Sequence, residues 1–346
     1  MAREKIISSE SDGPEDEQFN MALRPQTLAD CIGTGDLLEK LKISIAAARG
    51  RNEPMEHVLL HGPPGLGKTT LAYVIAHEMG STIRVSSGPA LTRPSDLIGI
   101  LTNLEARDVL FIDEIHRLSP AVEEYIYPAM EDYKVDFIVD SGMHSRTINL
   151  PLKPFTLIGA TTRSGMLSPP LRTRFGITHH LDFWSADDLL LRCRMTAGML
   201  KMEYDESALE MLARRARGTP RIANRLLRRC RDYAQVKGDG RLTSASVTAA
   251  LELEGIDGLG LDDLDRRFLA KMIEIYQGGP VGIEAMAATL GEETDTLVDV
   301  VEPFLLQTGL LARTRRGRLA TMKAYQHLGI TPPPTREETP LFDEPE

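Results

Sequence analysis

The 346-residue sequence contains few cysteines, no long apolar run and no excess of positive charge. Cys31, Cys193 and Cys230 are too few and too scattered for a disulfide framework or a zinc site, which fits a reducing compartment. No stretch approaches the roughly 20 apolar residues of a membrane span, and the N-terminus does not resemble a signal peptide. We therefore expect a cytoplasmic protein that does not bind membranes, with the three cysteines as small core residues.

The charge balance excludes one way of binding nucleic acid. The sequence has 40 lysines and arginines against 50 aspartates and glutamates, a net charge of -10. A protein that binds nucleic acid over its whole surface needs many cationic contacts to phosphates. Any such binding must therefore use a local basic patch. The length corresponds to about two or three domains.

A glycine-rich loop between two apolar segments is the strongest motif. Residues 62–70 read GPPGLGKTT and lie between an apolar run at 57–61 and a helical segment at 71–76. Glycines at 62, 65 and 67 let backbone N–H groups surround a phosphate at the positive end of the following helix. Lys68 would reach the β- and γ-phosphates, and the Thr69 hydroxyl would coordinate Mg²⁺. Because a strand precedes and a helix follows, we favour a nucleoside triphosphate site over a purely structural glycine loop.

Two adjacent carboxylates close a second apolar strand. Residues 108–112 predict a buried strand that ends in Asp113 and Glu114. Asp113 would hold Mg²⁺ or its water, and Glu114 would orient and polarise the water that attacks the γ-phosphate. Alone, such a pair is more often a solvated strand end. The phosphate loop upstream favours the catalytic interpretation.

Further residues would complete the chemistry. Arg174 follows the fourth predicted strand and is far from its own phosphate loop in any plausible winding, so it would reach only the γ-phosphate of a neighbouring subunit. That arrangement requires a ring or filament with heterologous interfaces. Pro220 suits the first position of a helix, which leaves Arg221 to clamp the nucleotide in cis. Thr162, at the end of the strand 156–160, is suited to sensing the γ-phosphate.

The order of elements predicts an α/β protein with appended domains. Apolar runs at 58–60, 83–86, 109–112 and 156–160 alternate with helical stretches, which indicates a parallel sheet with helices on both faces. A helical bundle follows, and then three helices with a hairpin suggest a winged helix. The predicted domains are a disordered acidic tail 1–20, a large domain 21–184, a small helical domain 185–257, a winged helix 258–335 and an acidic tail 336–346.

Two hairpins offer candidate contact surfaces. Residues 135–150 predict a β-hairpin that projects from the large domain, and a docking face and a self-packed solvated hairpin remain open alternatives for it. In the C-terminal hairpin, four arginines fall within six residues: Arg313, Arg315, Arg316 and Arg318. They can straddle a phosphate backbone without reading bases. A solvated hairpin tip is the alternative there.

These motifs together resemble an AAA+ ATPase. The resemblance rests on the phosphate loop and on residues 111–118, 159–163, 171–176 and 218–227. Further segments at 104–105, 127–133, 214–229 and 278–282 are similar to the RuvB family, the motors of bacterial Holliday-junction branch migration. The resemblance covers roughly residues 21–335 and implies an AAA+ parallel-sheet P-loop ATPase domain, a small helical lid domain and a C-terminal winged-helix domain.

The resemblance also implies partners and site residues. It implies a homohexameric ring on double-stranded DNA, driven by ATP hydrolysis with Mg²⁺ in recombination and repair, with RuvA docked on the hairpin 135–150 and RuvC in resolution. By resemblance, the nucleotide site comprises Leu23 and Arg24 at the adenine, Gly65, Gly67, Lys68, Thr69 and Thr70 at the phosphates, Glu131, Asp132 and Tyr133 nearby, and Arg174, Trp184 and Arg221.

The sequence departs from the family pattern at a few positions. Trp184 replaces a usual tyrosine and keeps an aromatic face, whereas Thr34 replaces a glutamine and loses a side-chain amide. The hairpin tip 140–145 differs from the usual sequence, which would make partner affinity specific to the cognate RuvA. Arg315 replaces a usual proline and adds a cation.

Two other AAA+ functions compete with a DNA translocase. A non-motor ATP switch of the clamp-loader or initiator type would be favoured by zinc cysteines or a long sequence-reading helix, and the sequence has neither. A protein unfoldase would carry an aromatic-hydrophobic-Gly pore loop between the phosphate loop and Asp113, and no such tripeptide occurs there. We therefore expect a DNA-translocating ATPase.

Overall fold

The computed structural model describes residues 21–33, 35–138 and 147–332. The chain divides into two compact units, Met1–Glu254 and Gly255–Glu346. The predictions for Thr34, the hairpin tip 140–145 and the two tails at 1–20 and 336–346 fall outside the described residues. Among the described residues, no helix is long and apolar enough to cross a membrane.

The first unit contains a parallel sheet, a hairpin and a helical bundle. Its strands are β1 Val58–His61, β2 Ile83–Ser87, β3 Val109–Asp113, β4 Lys134–Ile138, β5 Thr147–Pro151, β6 Thr156–Thr161 and β7 Ile177–His180. Its α-helices are α1 Gly35–Arg51, α2 Lys68–Met79, α3 Pro94–Leu101, α4 Pro120–Glu131, α5 Pro169–Thr173, α6 Ala186–Met199, α7 Glu206–Arg215, α8 Pro220–Lys237 and α9 Ser244–Leu253. Short 3₁₀ turns lie at Leu28–Asp30, Gly88–Ala90, Ile115–Arg117 and Ser164–Met166.

Five strands form the parallel sheet in the order β2-β3-β6-β1-β7. In register, Leu59 of β1 lies beside Gly159 of β6 and Thr178 of β7. The prediction of a parallel α/β domain is confirmed. The sequence analysis missed β7, because this edge strand is only half buried and reads Ile-Thr-His-His rather than as an apolar run.

Alternate residues of the central strands point into two separate cores. Val58 and Leu60 pack with helices α1 and α2 on one face, whereas Leu59 packs with α3 and α4 on the other. Helix α5 joins the second face through Leu171. Because successive side chains of a strand alternate between faces, the helix after the phosphate loop lies on one side of the sheet and α4 and α5 lie on the other.

The strands β4 and β5 pair antiparallel, with Lys134 opposite Pro151 and Ile138 opposite Thr147. The predicted hairpin stem is therefore present. Whether its tip is a docking face stays a prediction.

The helices α6 to α9 form the predicted bundle. Ser185 caps α6 by accepting a hydrogen bond from the Asp188 N–H, and Thr243 caps α9 in the same way from Ser246. Cys193 and Cys230 are buried here, and burial raises both thiol pKa values to about 12. Arg225 of α8 is also buried, at 1% exposure.

The second unit is a winged helix. Its elements are α10 Asp263–Tyr276, α11 Ile283–Leu290, a helical stretch of three segments (α12 Thr294–Thr296, a π-helical turn Leu297–Val301, α13 Glu302–Gln307), β8 Leu311–Thr314, β9 Gly317–Ala320 and α14 Met322–Leu328. Phe268, Met272, Leu297 and Leu305 are fully buried in its core. The hairpin β8–β9 is the wing, and Arg313 and Arg318 lie opposite one another in it.

Candidate functional site

The loop between β1 and α2 has the backbone of a phosphate cradle. Gly62, Gly65 and Gly67 have φ values of 137°, 78° and 96°, which residues other than glycine rarely adopt. A Cβ at Gly62 would collide with the carbonyl oxygen of Leu181. The loop ends at the N-terminus of α2, where free N–H groups and the helix dipole favour an anion.

Lys68 is poised over this loop. Its side chain is buried, and Nζ donates hydrogen bonds of 2.8 Å to the carbonyl oxygens of Gly62 and Pro63. Burial lowers the lysine pKa to about 8, with Arg221 adding to this effect and Asp113 opposing it. Two carbonyls therefore hold the ammonium where a phosphate oxygen can replace them.

Thr69 and Asp113 meet across the loop. The Thr69 hydroxyl lies 3.4 Å from Asp113 Oδ2, while Asp113 Oδ1 accepts the Glu114 N–H at 2.9 Å. No group of three or more His, Cys, Asp and Glu side chains suited to a metal occurs in the described part of the chain. A cation here would therefore have Thr69 and Asp113 as protein ligands, and phosphate oxygens and water would complete its shell. That donor set suits Mg²⁺.

Glu114 has a left-handed backbone, with φ of 46°. Its carboxylate forms an ion pair of 3.0 Å with Arg117, and Glu114 also lines the cavity beside Lys68. To act on a water at the γ-phosphate, the carboxylate must leave Arg117, and its partial exposure permits that rotation.

The two threonines at the end of β6 differ in role. Thr161 is buried, and its hydroxyl contacts His116 Nδ1 at 2.9 Å and accepts the Arg163 N–H at 3.0 Å. Thr161 thus orders the loop, and Thr162 lines the cavity.

A cavity of about 250 Å³ brings most predicted nucleotide residues together. The predicted residues on its wall are Arg24, Gly65, Gly67, Lys68, Thr69, Thr70, Asp113, Glu114, Thr162, Trp184 and Arg221. Trp184 also flanks Gly33, whose Cβ would lie 3.6 Å from the indole ring. The wall therefore combines the large domain with α8 of the bundle.

The cavity also includes residues that the sequence analysis missed. Arg192 is buried and donates to the Leu23 carbonyl at 2.7 Å, and Asn224 accepts a hydrogen bond from Thr196 at 3.0 Å. Cys31, predicted in the core, borders the cavity, and burial raises its pKa to about 11. Cys31 and Arg192 lie outside every motif, so no sequence pattern indicated them, whereas Asn224 lies in the segment 218–227 but had no assigned role.

Leu23 differs from its prediction. The structure buries its side chain and does not place it on the cavity wall. Its contribution is the carbonyl that fixes Arg192, because its side chain belongs to the packed interior.

Arg174 and Glu131 form a second, separate group. Arg174 Nη2 lies 3.0 Å from Glu131 Oε1, and its guanidinium carbon lies 4.4 Å from the Tyr127 ring centroid. These residues belong to α4 and to the end of α5, on the other face of the sheet from α2, and none of them lines the cavity.

Asp132 and Tyr133 also lie off the cavity wall. Asp132 pairs with Lys134 at 2.7 Å, and the Tyr133 ring packs edge-on against Phe155. Of the residues 131–133 predicted near the nucleotide, Glu131 therefore contacts Arg174, and none of the three borders the cavity at Lys68.

The wing arginines also separate into two kinds. Arg313, Arg315 and Arg316 are exposed. Arg318 is bound on one edge by a carboxylate: its Nε and Nη2 donate to the two oxygens of the buried Glu302, at 2.9 and 3.0 Å. A phosphate contact of Arg318 would have to use its other N–H groups, and that contact stays a prediction.

Three family models match successive parts of this chain. The family model described as the Holliday junction DNA helicase RuvB P-loop domain matches residues 23–181, the RuvB AAA lid domain matches 184–257, and the RuvB C-terminal winged helix domain matches 258–329. The chain belongs to the RuvB family. It is therefore an AAA+ P-loop ATPase.

Solved RuvB structures resemble this chain over most of its length. The RuvB Holliday junction branch migration motor of Thermotoga maritima is 50% identical, covers 90% of this chain and 99% of its own, and has a TM-score of 0.82. Two point mutants of that RuvB reach TM-scores of 0.84 with 50% identity, at 90% of this chain and 100% of theirs.

Proposed function

We propose that this RuvB-family ATPase is a ring-forming DNA translocase that drives branch migration of Holliday junctions with RuvA, and that RuvC joins it in resolution. One observation carries the proposal. The residues expected to bind a triphosphate and activate water line the cavity, whereas Arg174 does not line it and follows α5, on the face of the sheet opposite α2. A second subunit would bring its Arg174 to that cavity.

The cavity residues divide the work of hydrolysis. The loop N–H groups and Lys68 bind the β- and γ-phosphates, Thr69 and Asp113 hold Mg²⁺, and Thr162 contacts the γ-phosphate. Mg²⁺ neutralises charge on the phosphates when bound. Glu114 takes a proton from the attacking water as the bond between the γ-phosphorus and the bridging oxygen breaks, so that ADP and phosphate leave.

Arg174 would add a cation at the γ-phosphate of a neighbouring subunit. An arginine beside the γ-phosphate stabilises the transition state and is worth about 10³- to 10⁵-fold in rate. Glu131, Asp132 and Tyr133 would accompany Arg174 into the neighbour's site, which accounts for their place in the family pattern. Because the donor and acceptor surfaces differ, the interface is heterologous and closes into a ring, for which we propose six subunits.

The remaining parts of the proposal concern partners. Arg313, Arg315 and Arg316 of the wing would contact the phosphates of duplex DNA, and the hairpin 135–150 would receive RuvA. The domain boundaries at 184/185 and 257/258 and a cytoplasmic location belong to the same proposal.

The test uses subunit mixing. Arg174→Ala protein should bind ATP with unchanged affinity but lose DNA-stimulated hydrolysis, and Glu114→Gln protein should do the same. A mixture should recover part of the turnover, because an intact cavity can face an intact Arg174. Arg241→Ala, which removes an exposed arginine of the bundle, is the control and should keep full activity. No recovery at any mixing ratio would contradict the trans arrangement.

A further inference from the structure

Three residues of α4 form a polar stripe along one face of that helix. Glu123, Tyr127 and Glu131 follow one another at intervals of four, which places them on a common side. The segment Ser168–Arg174 lies along this stripe. Ser168 donates to Glu123 at one end of the segment, and Arg174 pairs with Glu131 at the other.

The stripe fixes the orientation of Arg174. Nη1 donates to the Pro170 carbonyl at 2.7 Å, Nη2 contacts Glu131 at 3.0 Å, and the guanidinium stacks over the Tyr127 ring. The ring sets the plane of the cation, and the two polar contacts set its rotation within that plane. Each terminal nitrogen keeps one further N–H for an incoming anion.

Tyr127 is itself held in place. Its hydroxyl donates to Glu123 Oε1 at 2.5 Å and lies 3.3 Å from the Ser168 hydroxyl. Ser168 is also the N-cap of α5, where its oxygen accepts the Leu171 N–H at 3.3 Å. The ring beneath Arg174 is thus tied to the start of the segment that carries Arg174. Burial and the Glu123 carboxylate raise the tyrosine pKa, which keeps the phenol a donor at neutral pH.

We propose that Tyr127, anchored by Glu123 and Ser168, is a positioning residue for Arg174. It presents the guanidinium in one orientation to the γ-phosphate on an adjacent subunit, so that little conformational freedom is lost when the site closes. The inference rests on the proposed function, because it assumes that Arg174 acts in trans. Tyr127 does not touch the nucleotide of its own subunit.

The effect should appear in the rate and not in binding. Tyr127→Leu removes both the ring face and the anchor, and we expect it to lower the DNA-stimulated kcat about tenfold, because Arg174 then adopts the orientation needed at the γ-phosphate only part of the time. KM for ATP should stay within about twofold, because Arg174 does not hold the ground state. Tyr127→Phe keeps the ring, loses only the anchor, and should recover most of that rate.

Tyr125→Leu is the matched control. Tyr125 belongs to the same helix and packs against the same core, but it lies two positions earlier and therefore on another face. It should cost stability without lowering kcat. Equal losses of kcat in Tyr125→Leu and Tyr127→Leu would overturn the proposal, because both would then reflect a weakened core.

Subunit mixing separates this proposal from the proposed function. Tyr127→Leu protein mixed with Glu114→Gln protein should regain turnover, because the Tyr127→Leu cavity is intact and the partner supplies a well-positioned Arg174. The positioning role alone would be overturned if Tyr127→Leu protein had the wild-type kcat. It would also be overturned if the Tyr127→Leu mixture failed to recover turnover while the Arg174→Ala mixture recovered it. If the Arg174→Ala mixture also fails to recover, the trans arrangement fails as well.

Discussion

Burial changes the chemistry of Lys68 in a way that the motif cannot reveal. A pKa of about 8 means that the free protein loses the lysine proton in an accessible pH range. Bound phosphates favour the ammonium form, so nucleotide binding above pH 8 must take up a proton.

We therefore expect the affinity for a non-hydrolysable ATP analogue to be about fivefold weaker at pH 9 than at pH 8, with little change between pH 6 and 7. Calorimetry in buffers of different ionisation heat would measure both the affinity and the proton uptake. Lys68→Ala should abolish binding at every pH, whereas Lys42→Ala removes an exposed lysine and should not change it.

Loss of folded protein cannot explain a fall in nucleotide affinity between pH 8 and pH 9. The unfolded chain holds the Lys68 proton up to about its ordinary pKa of 10.5, whereas the folded chain holds it only to about 8. Between these values the unfolded state binds more protons, so this group makes the fold more stable as pH rises. An affinity that stays constant up to pH 9 would contradict the lowered pKa.

The pair of Arg318 and Glu302 sets a second prediction for single residues. The two side chains are 11% and 2% exposed. Arg318→Ala leaves a buried carboxylate without its partner and should destabilise the winged helix by about 3 kcal/mol. Denaturant unfolding of the full chain would measure the loss.

Replacing both partners with apolar residues is the control for this pair. Arg318→Met combined with Glu302→Leu should recover most of the stability, because no uncompensated charge remains. An unchanged unfolding midpoint in the Arg318→Ala protein would show that the pair with Glu302 does not stabilise the fold.

At the scale of elements, the wing β8–β9 presents its remaining charge near its turn. Arg315 and Arg316 are exposed in the connection between the strands, and Arg313 is exposed on β8. We expect Arg315→Ala with Arg316→Ala to weaken duplex binding by a similar factor for all sequences.

The salt dependence of binding tests this prediction. The slope of log affinity against log salt should fall by about two units, close to 0.9 for each lost phosphate contact. Lys271→Ala removes an exposed cation of α10, outside the wing, and should leave the slope unchanged. A loss that varies strongly with sequence would indicate base contacts instead.

Helix α4 shows how one element can serve two surfaces. Its apolar residues Val122, Ile126 and Met130 pack on the sheet, while Glu123, Tyr127 and Glu131 meet the segment that carries Arg174. The helix ends at Glu131, and the hairpin strand β4 begins at Lys134. Glu131, which contacts Arg174, is therefore followed in the chain directly by the hairpin stem.

At the scale of the whole molecule, the proposal requires assembly. The purified protein should move a synthetic four-way junction in an ATP-dependent manner, and RuvA should increase that rate. Gel-based strand separation would report movement, and light scattering of the same sample would report the oligomer. A strictly monomeric protein with full DNA-stimulated hydrolysis would contradict the ring.

A different result would favour an ATP switch. If the ring forms and hydrolyses ATP but moves no junction even with RuvA, the clamp-loader or initiator type of function would fit better. Glu114→Gln is the control, because it should assemble with ATP yet move nothing.

Elements whose residues carry local signals could be predicted from the sequence. The phosphate loop, the buried strands β1, β3 and β6, and the helices of the bundle and winged helix follow from glycine spacing, apolar runs and helix breakers. Such signals depend only on a few neighbouring residues, so they can be recognised in the sequence before the fold is known. The strand β7 carries two histidines and no apolar run, and it was missed for that reason.

Contacts between residues that are distant in the chain could not be predicted and required the folded structure. It joined Arg192 and Asn224 to the nucleotide cavity, grouped Glu131 with Arg174, and paired Arg318 with Glu302. These partners are far apart in the chain or belong to different elements. Their contacts depend on which face of each element is buried, and a charge read from the sequence does not show whether its partner will be a phosphate, solvent or a buried carboxylate.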